Sequence, residues 1–252
     1  MKAVFCIQQS VIVGLCLLLM GAMHPDFLQA AEFASQEEHR LAYTVQQKMD
    51  AEAFQDCHQL LKPYFAAHEQ PSPNLFVLYA QVQRELDQKE RALKIYAQAA
   101  RLYPDNALIL HNYAVTSLHC GRLSQAARLF EQAYARDGSR DLLYQAGAAW
   151  FEAENYDQAV QVMQRLLQGT QEPKNAWIQL LVYSLVRAQK WKQAETRLQT
   201  MIHQAPNSSE LWRLLAYVRS QQDKVLGAAA ALELAYAMDD PGPEKWRNLE
   251  IG

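Results

Sequence analysis

Residues 92–104 read ALKIYAQAARLYP, and residues 126–138 read AARLFEQAYARDG. In each, an alanine opens the stretch, an aromatic follows four places on, a second alanine comes three places later, and Pro104 or Gly138 closes it. The opening alanine returns at Ala92, Ala126, Ala159, Ala194 and Ala228, at intervals of 34, 33, 35 and 34. Four places after each stand Tyr96, Phe130, Met163, Leu198 and Leu232, and seven after stand Ala99, Ala133, Leu166, Met201 and Ala235. Offsets of four and seven mark one buried face of a helix, and a fixed period of this length marks a repeated structural unit.

A second helical pattern precedes each alanine. It reads Leu143, Ala146, Gly147 and Trp150 in one unit, and Trp212, Leu215 and Ala216 in another. Each unit is therefore two helices, A and B, joined by a tight turn such as Cys120-Gly121-Arg122, Glu154-Asn155-Tyr156 or Gln189-Lys190-Trp191. Two antiparallel helices approach closely only where small side chains face each other. Ala80, Ala114, Gly147 and Ala216 fill that role on helix A, and the recurring alanines fill it on helix B. Pro or Gly then ends helix B, because Pro cannot continue the hydrogen-bond ladder and Gly accepts a left-handed cap.

The composition agrees. Half of the 252 residues are hydrophobic, and Gly and Pro number only 9 each, too few for a loop-rich β protein. The net charge of -3, with no cluster of Lys or Arg, gives no footprint of a nucleic-acid binder.

The pattern of a bulky residue, Leu and a small residue on helix A, then Ala, an aromatic, Ala and Pro on helix B, resembles the tetratricopeptide repeat. The resemblance covers residues 73–242 as five units beginning near Pro73, Ala107, Arg140, Asn175 and Ser209. A degenerate first hairpin and linker is expected over 31–72, and a truncated capping helix over 243–252. What the resemblance implies is an all-α, right-handed superhelical solenoid of antiparallel hairpins, with helices A lining a concave face and helices B outside.

Residues 1–30 read differently. Lys2 is followed by a 13-residue apolar run, Val11 to Met23, and by small residues up to Ala30. That is too short to span a bilayer as a helix and has the layout of a cleaved secretory leader, so a periplasmic or secreted mature chain starting at Ala31 is expected. An uncleaved anchor tethering the array to a membrane is the alternative. Cys16 follows Leu15 rather than a small residue, unlike a lipidation site. Cys57 and Cys120 fall in non-adjacent units and are expected as free thiols.

Helix-A residues turned away from the buried stripe give the expected partner groove. They include Val77 and Arg84; His111, Val115 and His119; Tyr144, Ala148 and Phe151; Tyr183, Val186 and Arg187; and Arg213 and Tyr217. Aromatic rings flanked by Arg are what polypeptide-binding surfaces use, so the partner expected is a protein or peptide. Members of the family that clamp the acidic tail of heat-shock proteins use Lys, Asn and Arg on successive helices A. Here Val77, Gln81, Leu108 and His111 stand instead, so that clamp is absent.

No cofactor, catalytic site or metal site is expected. The chain has no G-x-S-x-G, H-E-x-x-H or Gly-rich phosphate loop. His111 and His119, eight apart with Cys120 beside the second, are the nearest approach to a ligand- or metal-handling set, and their spacing matches no metal motif.

Overall fold

The computed structural model describes residues 33–171 and 173–239. The expected leader (1–30) and capping stretch (243–252) lie outside them. Among the described residues there are twelve α-helices and no strand. They are α1 (Gln36–Asp50), α2 (Phe54–Ala67), α3 (Pro73–Glu85), α4 (Lys89–Leu102), α5 (Ala107–His119), α6 (Leu123–Asp137), α7 (Arg140–Glu152), α8 (Tyr156–Leu167), α9 (Asn175–Arg187), α10 (Trp191–Gln204), α11 (Ser209–Ser220) and α12 (Val225–Asp239). They divide into two compact units, one ending at Ala153 and holding α1–α7, the other starting at Glu154 and holding α8–α12.

The recurring alanines Ala92, Ala126, Ala159 and Ala194 are all 0% exposed. No larger side chain fits at such a contact, which is why the position stays small while Tyr96, Phe130, Met163 and Leu198 fill the space one turn further on. Burying a side chain of that size stabilises by about 1.5–3 kcal/mol. In α12 the register differs from the sequence reading. Ala231 and Ala235 are buried, whereas Ala228 is half-buried and Leu232 exposed. The helix packs on α11, and no described helix covers its other side, which leaves Val225, Leu226, Leu234 and Tyr236 exposed.

In the first unit, Ala42, Val45 and Met49 of α1 meet Cys57 and Leu61 of α2 and Leu75, Leu78, Tyr79 and Val82 of α3. A second cluster joins Phe76, Val77 and Ala80 to Ala92, Tyr96, Ala99 and Ile109. The long connection after α2 is held by polar bonds. Glu38, 1% exposed, accepts from Ala34 N (2.9 Å), Ser72 N (2.9 Å) and Tyr64 Oη (3.3 Å), while Tyr103 Oη donates to the Pro71 carbonyl at 2.9 Å.

The turns from helix A to helix B share one device. A residue with positive φ follows each helix A: Glu52, Asp87, Gly121, Glu154, Gln189 and Asp223, at φ of 56–70°. At five of these turns the next amide reaches back to a carbonyl five residues earlier, as Gln88 N does to Gln83 O at 2.8 Å and Arg122 N to Ser117 O at 2.8 Å. This is a Schellman closure, and it satisfies carbonyls that the end of the helix would otherwise leave unpaired. The basic residue just before helix B then bonds to a carboxylate on the preceding helix B. Arg122 pairs with Glu90 at 2.6 Å, and Lys190 with Asp157 at 2.7 Å.

Candidate functional site

The expected groove residues divide between the two units. Arg84 (α3), His111, Val115 and His119 (α5), and Tyr144 and Phe151 (α7) belong to the first, and all six are half-buried. Tyr183 and Arg187 (α9) and Arg213 and Tyr217 (α11) belong to the second, where Arg187 is exposed and the other three half-buried. Three residues of the wider reading are corrected. Val77, Ala148 and Val186 are 1%, 3% and 6% exposed, sealed by packing rather than open to a partner. Val77 is part of the cluster around Ala92 and Tyr96, which explains its burial.

In the first unit α5 carries His111 beside the ring of Phe130, with centroids 5.8 Å apart. Burial lowers the pKa of His111, with the Gln145 amide and Asp137 pulling the other way. Burial also lowers that of His119, and the charges of Arg84 and Lys89 add to the effect. Both imidazoles are therefore neutral at pH 7, each with one N–H to donate and one nitrogen to accept. The Cys120 thiol is pushed up, first by burial and then by Glu90, so it is protonated and unreactive rather than a poised nucleophile. Among the described residues no three His, Cys, Asp or Glu come together as metal ligands.

In the second unit the expected residues are tied to their neighbours. Tyr183 Oη donates to Glu210 Oε1 at 2.8 Å. Arg187 lies over the ring of Tyr156, 4.5 Å from its centroid, and bonds to its hydroxyl. Arg213 pairs with Asp239, and Tyr217 meets Trp191 edge-on at 6.1 Å. These contacts hold rings and guanidinium groups in fixed poses, and a polypeptide meeting such a surface loses less side-chain freedom on binding.

Two features were not legible as functional in the sequence. Lys89, in the first turn of α4, acts electrostatically on His119 although it belongs to no helix A. A cleft of about 690 Å³ opens beside α8 and α10, lined by Gln161, Gln164, Arg165, Arg197, Thr200 and Gln204. It lies against the seven-residue turn 168–174, whereas the turns at 103–106 and 138–139 take four and two residues. The longer turn was visible as the one 35-residue interval, but nothing in the spacing marked a cleft.

These stacked pairs of antiparallel helices define an all-α repeat protein of the hairpin-solenoid class. Three tetratricopeptide-repeat models match the sequence, at residues 75–106, 120–176 and 150–217, together more than half of the chain. The chain belongs to the tetratricopeptide repeat family. No curated protein matches it in sequence.

Solved structures share the fold at low identity. YrrB, described as a tetratricopeptide repeat protein with an unusual peptide-binding site, is 16% identical, with a TM-score of 0.53 over 71% of this chain and 91% of its own. The C-terminal part of a repeat protein from Cytophaga hutchinsonii is 17% identical, with a TM-score of 0.57 over 82% of each chain. MamA from Desulfovibrio magneticus is 16% identical, with a TM-score of 0.51 over 68% of this chain and 97% of its own. The fold and family are those of protein-interaction scaffolds.

Proposed function

We propose that the chain is an exported scaffold that holds a segment of a partner protein against the open faces of its A helices. The observation that carries this reading is the set of half-buried side chains on α5 and α7: His111, Val115, Tyr144 and Phe151. His111 and Tyr144 combine apolar rings with a polar tip, Val115 and Phe151 are wholly apolar, and all four are neither sealed in the core nor fully solvated. Such rings supply large contact area at low entropic cost. The description of YrrB as a protein with a peptide-binding site supports a polypeptide as the ligand class. Export is supported by the charged start, short apolar run and small exit residues of 1–30.

Two measurements test the reading. Replacing Tyr144 and Phe151 together by Ala is expected to abolish capture of partner protein from an envelope extract while the helical circular dichroism is kept. Unchanged capture would end the groove assignment. Mass spectrometry of the native protein is expected to show a start at Ala31, and a start at Met1 would establish the membrane-tethered reading instead.

A further inference from the structure

The cleft beside α8 and α10 has a cause in the chain. α8 stops after 12 residues, against 14 and 15 in the preceding B helices α4 and α6. Gln168 leaves the helix at ψ 123°, Gly169 turns at φ 71°, and Thr170 N returns to the Leu167 carbonyl at 3.2 Å. The early stop and the long connection after it leave a space of about 690 Å³. That volume falls within the range of small-molecule sites, about 300–1,000 Å³. The cleft belongs wholly to the second unit.

Its lining is polar and carries one sign of charge. Arg165 and Arg197 both line it, and among the described lining residues there is no carboxylate. Lys190, Arg213, Arg219 and Lys224 of this unit are paired with carboxylates, whereas Arg197 enters no ion pair among the described residues. The amide of Gln164 bridges to Gln193 Oε1 of α10 at 3.3 Å, so α8 and α10 face each other here through polar side chains. Gln161 and Gln204 add exposed amides, each with donors and an acceptor on one group. Thr200 Oγ1 donates to the Thr196 carbonyl at 3.1 Å, which leaves its lone pairs to accept.

These groups select a ligand by chemistry. No aromatic ring is among the described lining residues, so nothing stacks on a flat base. The guanidinium groups match a carboxylate or phosphate, and Arg presents its N–H groups in pairs. Amides and hydroxyls that donate and accept side by side match neighbouring ligand hydroxyls, which do the same. We propose that this cleft binds a small polyhydroxylated anion, a sugar acid or a sugar phosphate. The site lies between B helices and does not rest on the groove reading of the A helices.

The test is a titration of the ¹⁵N-labelled full chain followed by amide NMR, with glucuronate, glucose 6-phosphate, glucose, acetate and inorganic phosphate as probes. The two sugar anions are expected to move the signals of 161–170 and 197–204 with dissociation constants in the millimolar range. Glucose, acetate and phosphate should each bind about tenfold more weakly, because each lacks either the charge or the hydroxyls. Arg197→Gln should weaken both sugar anions about tenfold and leave glucose unchanged, and Arg197→Lys should recover part of the loss. Whichever sugar anion binds more tightly identifies carboxylate or phosphate as the charged group. The proposal is overturned if neither sugar anion moves these signals, if acetate or phosphate binds as well as they do, or if Arg197→Gln binds like the wild type. A Gly-Glu-Gly peptide that binds the cleft more tightly than either sugar anion would overturn it in favour of a polypeptide ligand. Replacing Tyr144 and Phe151 by Ala should leave every titration unchanged, so this site and the groove stand or fall separately.

Discussion

The amide of Ser72 donates to Glu38 Oε1 at 2.9 Å, joining the start of α3 to the first turn of α1 across 34 residues of sequence. Glu38 is buried and answers three donors at once, so its loss leaves Ala34 N, Ser72 N and Tyr64 Oη without their acceptor. Bonds to a charged acceptor contribute more than neutral ones, and orphaned buried donors add their desolvation cost. Glu38→Ala is expected to destabilise the α1–α2 hairpin by about 2–3 kcal/mol. Hydrogen exchange followed by peptide is the measurement: protection should drop across 36–67 and stay unchanged across α9–α12.

The left-handed residues after helices A give a stabilising prediction. Asp87 and Gln189 occupy φ of 56° and 57°, a region that favours Gly over residues with a Cβ. Asp87→Gly and Gln189→Gly should each raise stability, by about 0.5–1 kcal/mol, because strain relieved in the fold outweighs entropy gained by the unfolded chain. Gly121→Ala, at φ 70°, should lower it by a similar amount. Urea unfolding midpoints of the three variants decide the matter.

Ala126 tests the repeat register. It has no exposed surface and sits at the helix contact that the repeat pattern keeps small. Ala126→Glu puts an unpaired carboxylate and three extra heavy-atom bonds' length of side chain into that contact, and should cost about 3–5 kcal/mol. Thermal melting followed by circular dichroism should show a large fall in Tm, and a curve matching the wild type would refute the packing described for α5, α6 and α7.

Acid should act on the two units at different pH. In the first unit burial lowers the pKa of His58, His111 and His119 below the ordinary value of 6.5. The unfolded chain takes up those protons first, so stability is lost as pH falls through 6.5 towards the folded values. In the second unit hydrogen bonds from Lys224, then Arg219 and Gln222, hold the Glu195 carboxyl below its ordinary value of 4.5. Its contribution is fully present above 4.5 and drains only as pH falls through the lower folded value. Denaturant midpoints at pH 7, 5.5 and 4 should therefore show the first unit weakening before the second. His111→Gln should flatten the first decline, and Glu195→Gln should cost roughly 2 kcal/mol at pH 7 while removing the second.

The repeating hairpin was legible because close helix contact admits only small residues, and Ala92, Ala126, Ala159 and Ala194 obey that limit. The reading slipped at Ala228. The helix VLGAAAALELAYAMD is apolar on nearly every side, so periodicity cannot say which side turns inward. The candidate site was legible only in part. A residue read as pointing away from its own hairpin can still be covered, as Val77 is in a cluster that joins Tyr96 of its own hairpin to Ile109 of the next. Glu38 was not legible at all, since its role depends on a connection 34 residues away. Of the left-handed turn residues only Gly121 announces its conformation, because Asp, Glu and Gln adopt it under compulsion from the surrounding bonds.

Five of the A–B turns close through bonds that span five residues, and within each unit a helix meets chiefly the helices before and after it in sequence. A chain whose contacts are this local has low contact order, and such chains acquire structure quickly and piecemeal. Every completed pair of helices offers a template to the one that follows, so assembly advances by accretion along the polypeptide rather than waiting for its distant ends to meet.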